Sequence, residues 1–191
     1  MDYQKKQDVY KITLKNTRFI FRPNFMGEVR SQYDDGSKYV NIVIDENNPD
    51  NRYGKPSDMK TLKVEDLVND GWNVRFMEAK DDYPEQAFIR VKVAYKKRNG
   101  DPVKRPPHII KAIGGPDYRV SLDEESVGDL DNEYIENVDH VDIRGWEYEE
   151  GKISAYLVNM YVTVEDDPFM REYGSFDDNQ NRVDEDDDLP F

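Results

Sequence analysis

Glycine-marked turns set between alternating apolar segments constrain this chain most. Asp35-Gly36, Asn99-Gly100 and Glu150-Gly151 are pairs that supply the positive φ of a tight hairpin turn, Glu-Gly being the weakest of the three. Segments rich in Val, Ile, Tyr and Phe lie beside them. Met26–Tyr33 and Lys38–Ile44 flank the first turn, Phe88–Arg98 precedes the second, and Val138–Tyr148 and Ile153–Val164 flank the third. Within them the alternation has period two, the period of a strand. Val40, Ile42 and Ile44 share one face, with Tyr39 and Asn41 on the other. Ile89, Val91, Val93 and Tyr95 share a face, and Phe88, Arg90, Lys92, Lys96 and Arg98 share its opposite. Ile153–Val164 is apolar on both faces and is predicted to be a central strand.

Helical signals are few. Lys63–Asn69 carries Val64, Leu67 and Val68 at helical spacing, with Gly71 as its stop. Ser121 and Glu124 make a capping-box pattern ahead of Asp123–Leu130. Asn47–Ser57 and the proline-rich Asp101–Pro107 are predicted to be loops. Many short strands with two short helices predict a mainly β protein. The expected architecture is an OB-fold-like Greek-key barrel over residues 1–164. An acidic, largely disordered tail is expected over residues 165–191.

With no cysteine among 191 residues, a disulfide framework, a thiolate metal site and a Cys nucleophile are all excluded. No apolar run is long enough for a helical membrane span, and Met1-Asp-Tyr-Gln-Lys-Lys leads into no apolar signal region. A soluble, cytoplasmic protein is expected. The formal charge of −14 argues at first against nucleic acid. However, 11 of the 41 acids and 2 of the 27 bases fall in residues 165–191, which leaves −5 on the body. What matters for binding is where the bases cluster. The 13 Tyr and 8 Phe also supply the ring faces on which unpaired bases stack.

Two internal stretches are candidates for such a surface. Phe88-Ile-Arg-Val-Lys-Val-Ala-Tyr-Lys-Lys-Arg98 interleaves an aromatic with cations on its outward face. Lys104 and Arg105 lie just past its turn and extend the basic run. Phosphates need spaced cations, and bases need ring faces. In Arg18-Phe-Ile-Phe-Arg-Pro-Asn-Phe25, alternation places Phe19 and Phe21 on one face, assigned to the core, and Arg18, Ile20 and Arg22 on the other, while Arg22 and Phe25, beside Pro23 at the strand end, are candidates for an exposed edge. Tyr39 and Arg75 face away from their apolar neighbours, and Trp72 is assigned to the core. Enzyme chemistry has little support. His140-Val-Asp142 offers two metal ligands without an evident third, and Gly114-Gly115-Pro116 lacks the Lys and helix of a phosphate loop. No cofactor is expected.

The final stretch, Asp184-Glu-Asp-Asp-Asp-Leu-Pro-Phe191, runs five acids into a short apolar hook. Repulsion keeps such acids extended, and the hook gains nothing unless it docks in a partner's pocket. Asp186, Asp187, Asp188, Leu189, Pro190 and Phe191 closely resemble the C-terminal tip of bacterial single-stranded DNA-binding proteins, with Leu in place of Ile. The resemblance implies that the tip recruits replication, repair and recombination proteins. Phe21-Arg-Pro-Asn-Phe25, Tyr39-Val-Asn-Ile-Val43, Phe88-Ile-Arg-Val-Lys-Val93 and Asn159-Met-Tyr-Val-Thr163 resemble segments of bacteriophage-encoded OB-fold proteins of the same function. The bacterial family's tetramer does not carry over, and the oligomeric state stays open.

The resulting expectation is a non-catalytic, sequence-tolerant single-stranded DNA-binding protein acting in a bacterial host cell. Its DNA contacts are expected at Arg22, Phe25, Tyr39, Arg75, Phe88, Arg90, Lys92, Lys96, Arg98, Lys104 and Arg105. The competing reading is an acidic protein-interaction module that imitates the host tail or DNA. It gains if Arg90 and Lys92 are buried or neutralised by acids.

Overall fold

The computed structural model describes residues 10–32, 34–80 and 84–166. The acidic tail from residue 167 onward, including Asp186–Phe191, lies outside the described residues. The chain forms β1 (Lys11–Thr17), β2 (Tyr39–Ile44), β3 (Arg52–Lys55), β4 (Asp58–Thr61), α1 (Val64–Asp70), β5 (Val74–Met77), β6 (Gln86–Lys92), β7 (His108–Ile113) and β8 (Arg119–Leu122). A 3-10 helix (Val127–Asn132) then precedes β9 (Ile135–Glu149) and β10 (Lys152–Val164).

Five strands set the architecture. β1 is antiparallel to β9, β9 to β10 and β2 to β6, while β10 lies parallel to β6. Beyond β1 the chain crosses to β2. Val43 N–H donates to the Arg18 carbonyl at 3.0 Å, Ile20 N–H donates to the Asn41 carbonyl at 2.9 Å, and Phe19 bridges Ile42. These bonds, made by the chain just past β1, complete the ring β1–β2–β6–β10–β9, the expected OB-type Greek-key barrel. The β3–β4 hairpin extends the outer edge of β1, β5 lies on β6, and β7–β8 lies on the far half of β10. Register shifts in the long β9–β10 hairpin let it bend around the core. That core is the inward set of each strand, including Ile12, Leu14, Val40, Ile42, Ile89, Val91, Ile143 and Val162, all essentially inaccessible.

α1 follows the expected helix closely. Its C-cap, Gly71, has φ 107° and returns its N–H to the Leu67 and Val68 carbonyls. The Glu150-Gly151 turn joins β9 and β10, with Gly151 at φ 76°. Other expectations fail for local reasons. Among its described residues, Met26–Tyr33 is a loop rather than a strand. Its backbone is answered by side chains: Asp131 accepts from the Phe25 and Met26 N–H groups at 2.8 and 3.0 Å, and Asn24 bonds both backbone groups of Glu28. β6 stops at Lys92, after which Lys96 bridges Pro102 across the Asn99-Gly100 turn. Asn47–Ser57 is only partly loop, because β3 and β4 form a hairpin around Pro56-Ser57. Ser121 sits inside β8 and caps nothing. Instead Asp123 accepts from the Glu125 and Ser126 N–H groups, and the helix that follows is 3-10.

Candidate nucleic-acid interface

Residues directly opposite one another in a sheet share a face, so register assembles the site. On β6, Phe88, Arg90 and Lys92 point outward. Opposite them on β2 stand Val43, Asn41 and Tyr39, opposite Phe88 on β5 stands Arg75, and opposite Lys92 on β10 stands Tyr156. Tyr156 in turn faces Arg144 on β9. Alternation turns Arg144 and Trp146 outward because the residue between them, Gly145, is buried. A Cβ on Gly145 would lie 2.7 Å from the Trp72 ring and 2.8 Å from Ile153, so this strand passes too close to the core for a side chain there.

This face and the Val93–Arg105 loop wall an open groove of about 1120 Å³. Nine Lys or Arg line it (Lys38, Arg90, Lys92, Lys96, Lys97, Arg98, Lys104, Arg105 and Arg144) against three acids, Asp34, Asp35 and Glu124. Tyr39, Tyr95, Trp146 and Tyr156 stand among them. A strongly acidic protein thus carries a cationic groove with rings between its cations.

The side chains are held in place. The Arg90 guanidinium lies 4.1 Å from the centre of the Tyr39 ring, and its Nε donates to Asn41 at 3.4 Å. The Tyr39 hydroxyl donates to Asp34 at 3.1 Å. The Arg30 backbone N–H first, and then Tyr39, hold the Asp34 carboxyl below its ordinary range. Lys92 and Arg144 both lie over the Tyr156 ring, at 5.5 and 6.0 Å. A base entering over Tyr39 therefore meets the Arg90 guanidinium plane, which is itself a stacking surface. The Tyr95 hydroxyl is buried without a partner among the described residues, and burial first, then Asp123 and Glu124, pushes its pKa up to about 12.

Seven of the residues expected from sequence line this groove: Tyr39, Arg90, Lys92, Lys96, Arg98, Lys104 and Arg105. Four lie elsewhere. Phe25 is a correction: it is fully buried, packed edge-on against Phe19 at 5.8 Å, and offers no face to a base. Phe21, assigned to the core, is instead 56% exposed. Its φ of 62° breaks the strand geometry and reverses the alternation between Phe21 and Phe25. Phe88 keeps the outward side of β6 but is covered by Ile20, Val43 and Phe21. Arg22 turns toward the 3-10 helix, donating to Asn132 Oδ1 at 3.1 Å. Arg75 stays exposed beside Phe88, past the end of the groove. Arg144, Trp146, Tyr156, Tyr95, Lys97 and Lys38 line the groove without having been singled out. An outward Arg-x-Trp around a glycine was the available signal for the first two.

His140 and Asp142 lie on β9 in a network that ties three strands together. Asp142 accepts from Thr13 of β1 at 2.7 Å and Asn159 of β10 at 3.1 Å, and it meets His140 Nε2 at 2.8 Å. Lys11 stands 3.5 Å away, and Lys15 meets His140 Nδ1. Burial opposes ionisation of Asp142, but the bonds from His140, Thr13 and Asn159 outweigh it and lower its pKa to about 2. A lowered folded-state pKa adds stability that is complete above the unfolded value, about 4, and is lost as pH falls through the folded value. The expected contribution is about 2 kcal/mol. Asp142→Asn is expected to flatten the fall in melting temperature between about pH 4 and pH 2. An acid limb identical to that of the wild type would show that the carboxylate does not carry it.

Residues 1–189 match the family described as "Putative phage ssDNA-binding domain". No curated protein matches the sequence. Among solved structures the chain is similar to the single-stranded DNA-binding protein from bacteriophage Enc34 in complex with ssDNA. The similarity has 12% identity and a TM-score of 0.41, and it covers 83% of this chain and 89% of that one. The chain belongs to the family of phage single-stranded DNA-binding domains.

Proposed function

We propose that this chain binds single-stranded DNA without sequence preference, protects it, and performs no chemical step. The observation that carries this reading is the groove, with nine cations against three acids and four rings set among them. Cations repeated along a groove neutralise phosphates of any sequence, and rings and guanidinium planes accept any base. A duplex hides its base faces and would use only the phosphate part. Family membership supports the same reading.

The imitation reading gains if Arg90 and Lys92 are buried or neutralised by acids. Both are exposed, and among the described residues neither makes an ion pair. Their contacts are Asn41 and the Tyr39 and Tyr156 rings; Asp34 and Asp35 feel the charge of Arg90 and Lys92 but form no salt bridge with them, so the charge stays open to phosphate.

The second part of the proposal concerns the tail. Asp186, Asp187, Asp188, Leu189, Pro190 and Phe191 recruit replication and recombination proteins in the cytoplasm of a bacterial host. The hook enters an apolar pocket, and the acids meet Lys and Arg. The same acids, tethered at high effective concentration, compete with DNA for the groove.

One titration tests the DNA binding and the tail's competition for the groove. Labelled oligo(dT) is followed by fluorescence anisotropy at two salt concentrations, for the full chain and for a chain lacking Asp184–Phe191, with a duplex of equal length as competitor. Tight binding that salt weakens and the duplex fails to displace is expected, with the truncated chain binding tighter, most visibly at low salt. Absence of binding at low salt for both chains overturns the DNA reading. Equal affinities of the two chains at every salt concentration overturn the self-competition.

A further inference from the structure

The cationic groove ends at Arg90, but the outward face of β6 does not. Two residues before Arg90 stands Phe88, and two before that stands Gln86. Over Phe88 lies Phe21, ring centres 5.5 Å apart and planes at 82°, so that Phe21 rests on its neighbour edge to face. Phe21 is 56% exposed. Its backbone has φ 62°, a region that bulky L-residues rarely occupy. The loop after β1 thus holds a large aromatic outward in an unfavoured conformation, immediately before Arg22-Pro23. Cations flank it. Arg75 is directly opposite Phe88 and exposed, and exposed Arg18 bonds the Gln86 side chain.

We infer that Phe21 is a base-stacking station for single-stranded DNA beyond the groove, with Arg75 and Arg18 holding the phosphates on either side of it. This rests on the proposed DNA binding and extends it. The strand leaves the groove over Arg90 and continues along the same face of β6. A ring packed edge-on against Phe88 keeps one face for a base while its position is fixed from beneath, so stacking there costs little side-chain freedom. An isolated exposed aromatic has no such meaning. Here the ring lies over the same strand face as Arg90 and Lys92, with Arg75 opposite Phe88 and Arg18 on Gln86, and it stays more than half exposed on a strained backbone although part of it covers Phe88.

The test uses the full chain with two lengths of oligo(dT), about 4 and about 16 nucleotides, the limits of barrel site sizes. Phe21→Ala and Phe21→Leu are each expected to weaken the long oligonucleotide about tenfold while leaving the short one unchanged. Phe21→Trp is expected to restore or exceed wild-type affinity. Leucine keeps Phe88 covered, so a loss shared by Leu and Ala, with an unchanged melting temperature for Leu, assigns the effect to the ring face. Arg75→Ala is expected to reduce the salt dependence for the long oligonucleotide alone. Wild-type affinity in Phe21→Leu for the long oligonucleotide overturns this station while leaving the groove intact. Failure of the wild type to bind either length instead overturns the DNA reading itself.

Discussion

Replacing Arg90 and Tyr156 together by alanine is expected to lower affinity for oligo(dT) by about two to three orders of magnitude. Removing one stacking surface costs about 1–3 kcal/mol, and each 1.4 kcal/mol is a tenfold change. The two residues sit in separate stacks. Arg90 covers Tyr39 and bonds Asn41, whereas Tyr156 carries Lys92 and Arg144. With different partners their losses approach additivity. Arg90→Ala also removes a phosphate cation, so the single variant should show a shallower salt dependence than Tyr156→Ala. Neither residue belongs to the core, and both variants should melt near the wild type. Anisotropy titrations of both single variants and the double variant at matched salt decide the matter. A double variant within tenfold of the wild type would place the DNA elsewhere on the molecule.

The net charge of −14 and a cationic groove are compatible because the sheet sorts charge by face. Alternation sends Arg90 and Lys92 to one side of β6 while Ile89 and Val91 fill the core. Pairing then brings Arg144 of β9 beside them through Tyr156, although 52 positions separate Arg144 from Lys92 in the chain. Acids held off the groove repel the polyanion from other faces. The same sorting explains how a body of net −5 carries a cationic groove.

Alternation carried most of what was legible in advance. It set the outward Arg90–Lys92 face, the inward Val40–Ile44 face and the buried Trp72, and helical spacing with a terminal glycine placed α1. It failed where the backbone left the strand region. At Phe21 a positive φ reverses the inward and outward order, so Phe25 fills the core and Phe21 meets solvent. Period-two counting has no means of detecting one left-handed residue. Met26–Tyr33 alternates but finds no partner strand among its described residues, since Asn24 and Asp131, 107 positions apart, already answer its backbone. Arg144, Trp146 and Tyr156 escaped notice for another reason. Tyr156 lies on β10, which is apolar on both faces, while Arg144 and Trp146 lie on β9, whose polar residues fall on both faces, and only the cross-strand register shows which side opens into the groove.

Gly71→Ala is expected to destabilise the protein by about 3 kcal/mol or more, about 10 °C in melting temperature for a chain of this size. Gly71 closes α1 in the left-handed conformation, where alanine alone costs about 1 kcal/mol. The larger cost is steric. A Cβ at this position would lie 2.1 Å from the Gly151 carbonyl oxygen and 2.7 Å from its carbon. The Gly71 carbonyl also accepts from the Ile153 N–H at 2.9 Å, so the end of α1 is bonded to the start of β10. The next residue, Trp72, is anchored through its indole N–H to the Tyr53 hydroxyl at 2.7 Å, and Tyr53 donates to Asp70 at 2.7 Å. Neither side can retreat without breaking one of these bonds. Gly151→Ala separates the two causes, because Gly151 also has positive φ, 76°, but open space where a Cβ would stand. It is expected to cost only about 1 kcal/mol. Thermal melts of the two variants compare them directly, and equal melting temperatures would mean that the contact yields and only the backbone conformation matters. Because β9 and β10 carry Arg144, Trp146 and Tyr156, a hairpin displaced at this contact also shifts one wall of the groove. Gly71→Ala should therefore weaken oligo(dT) binding even well below its melting temperature, whereas Gly151→Ala should not.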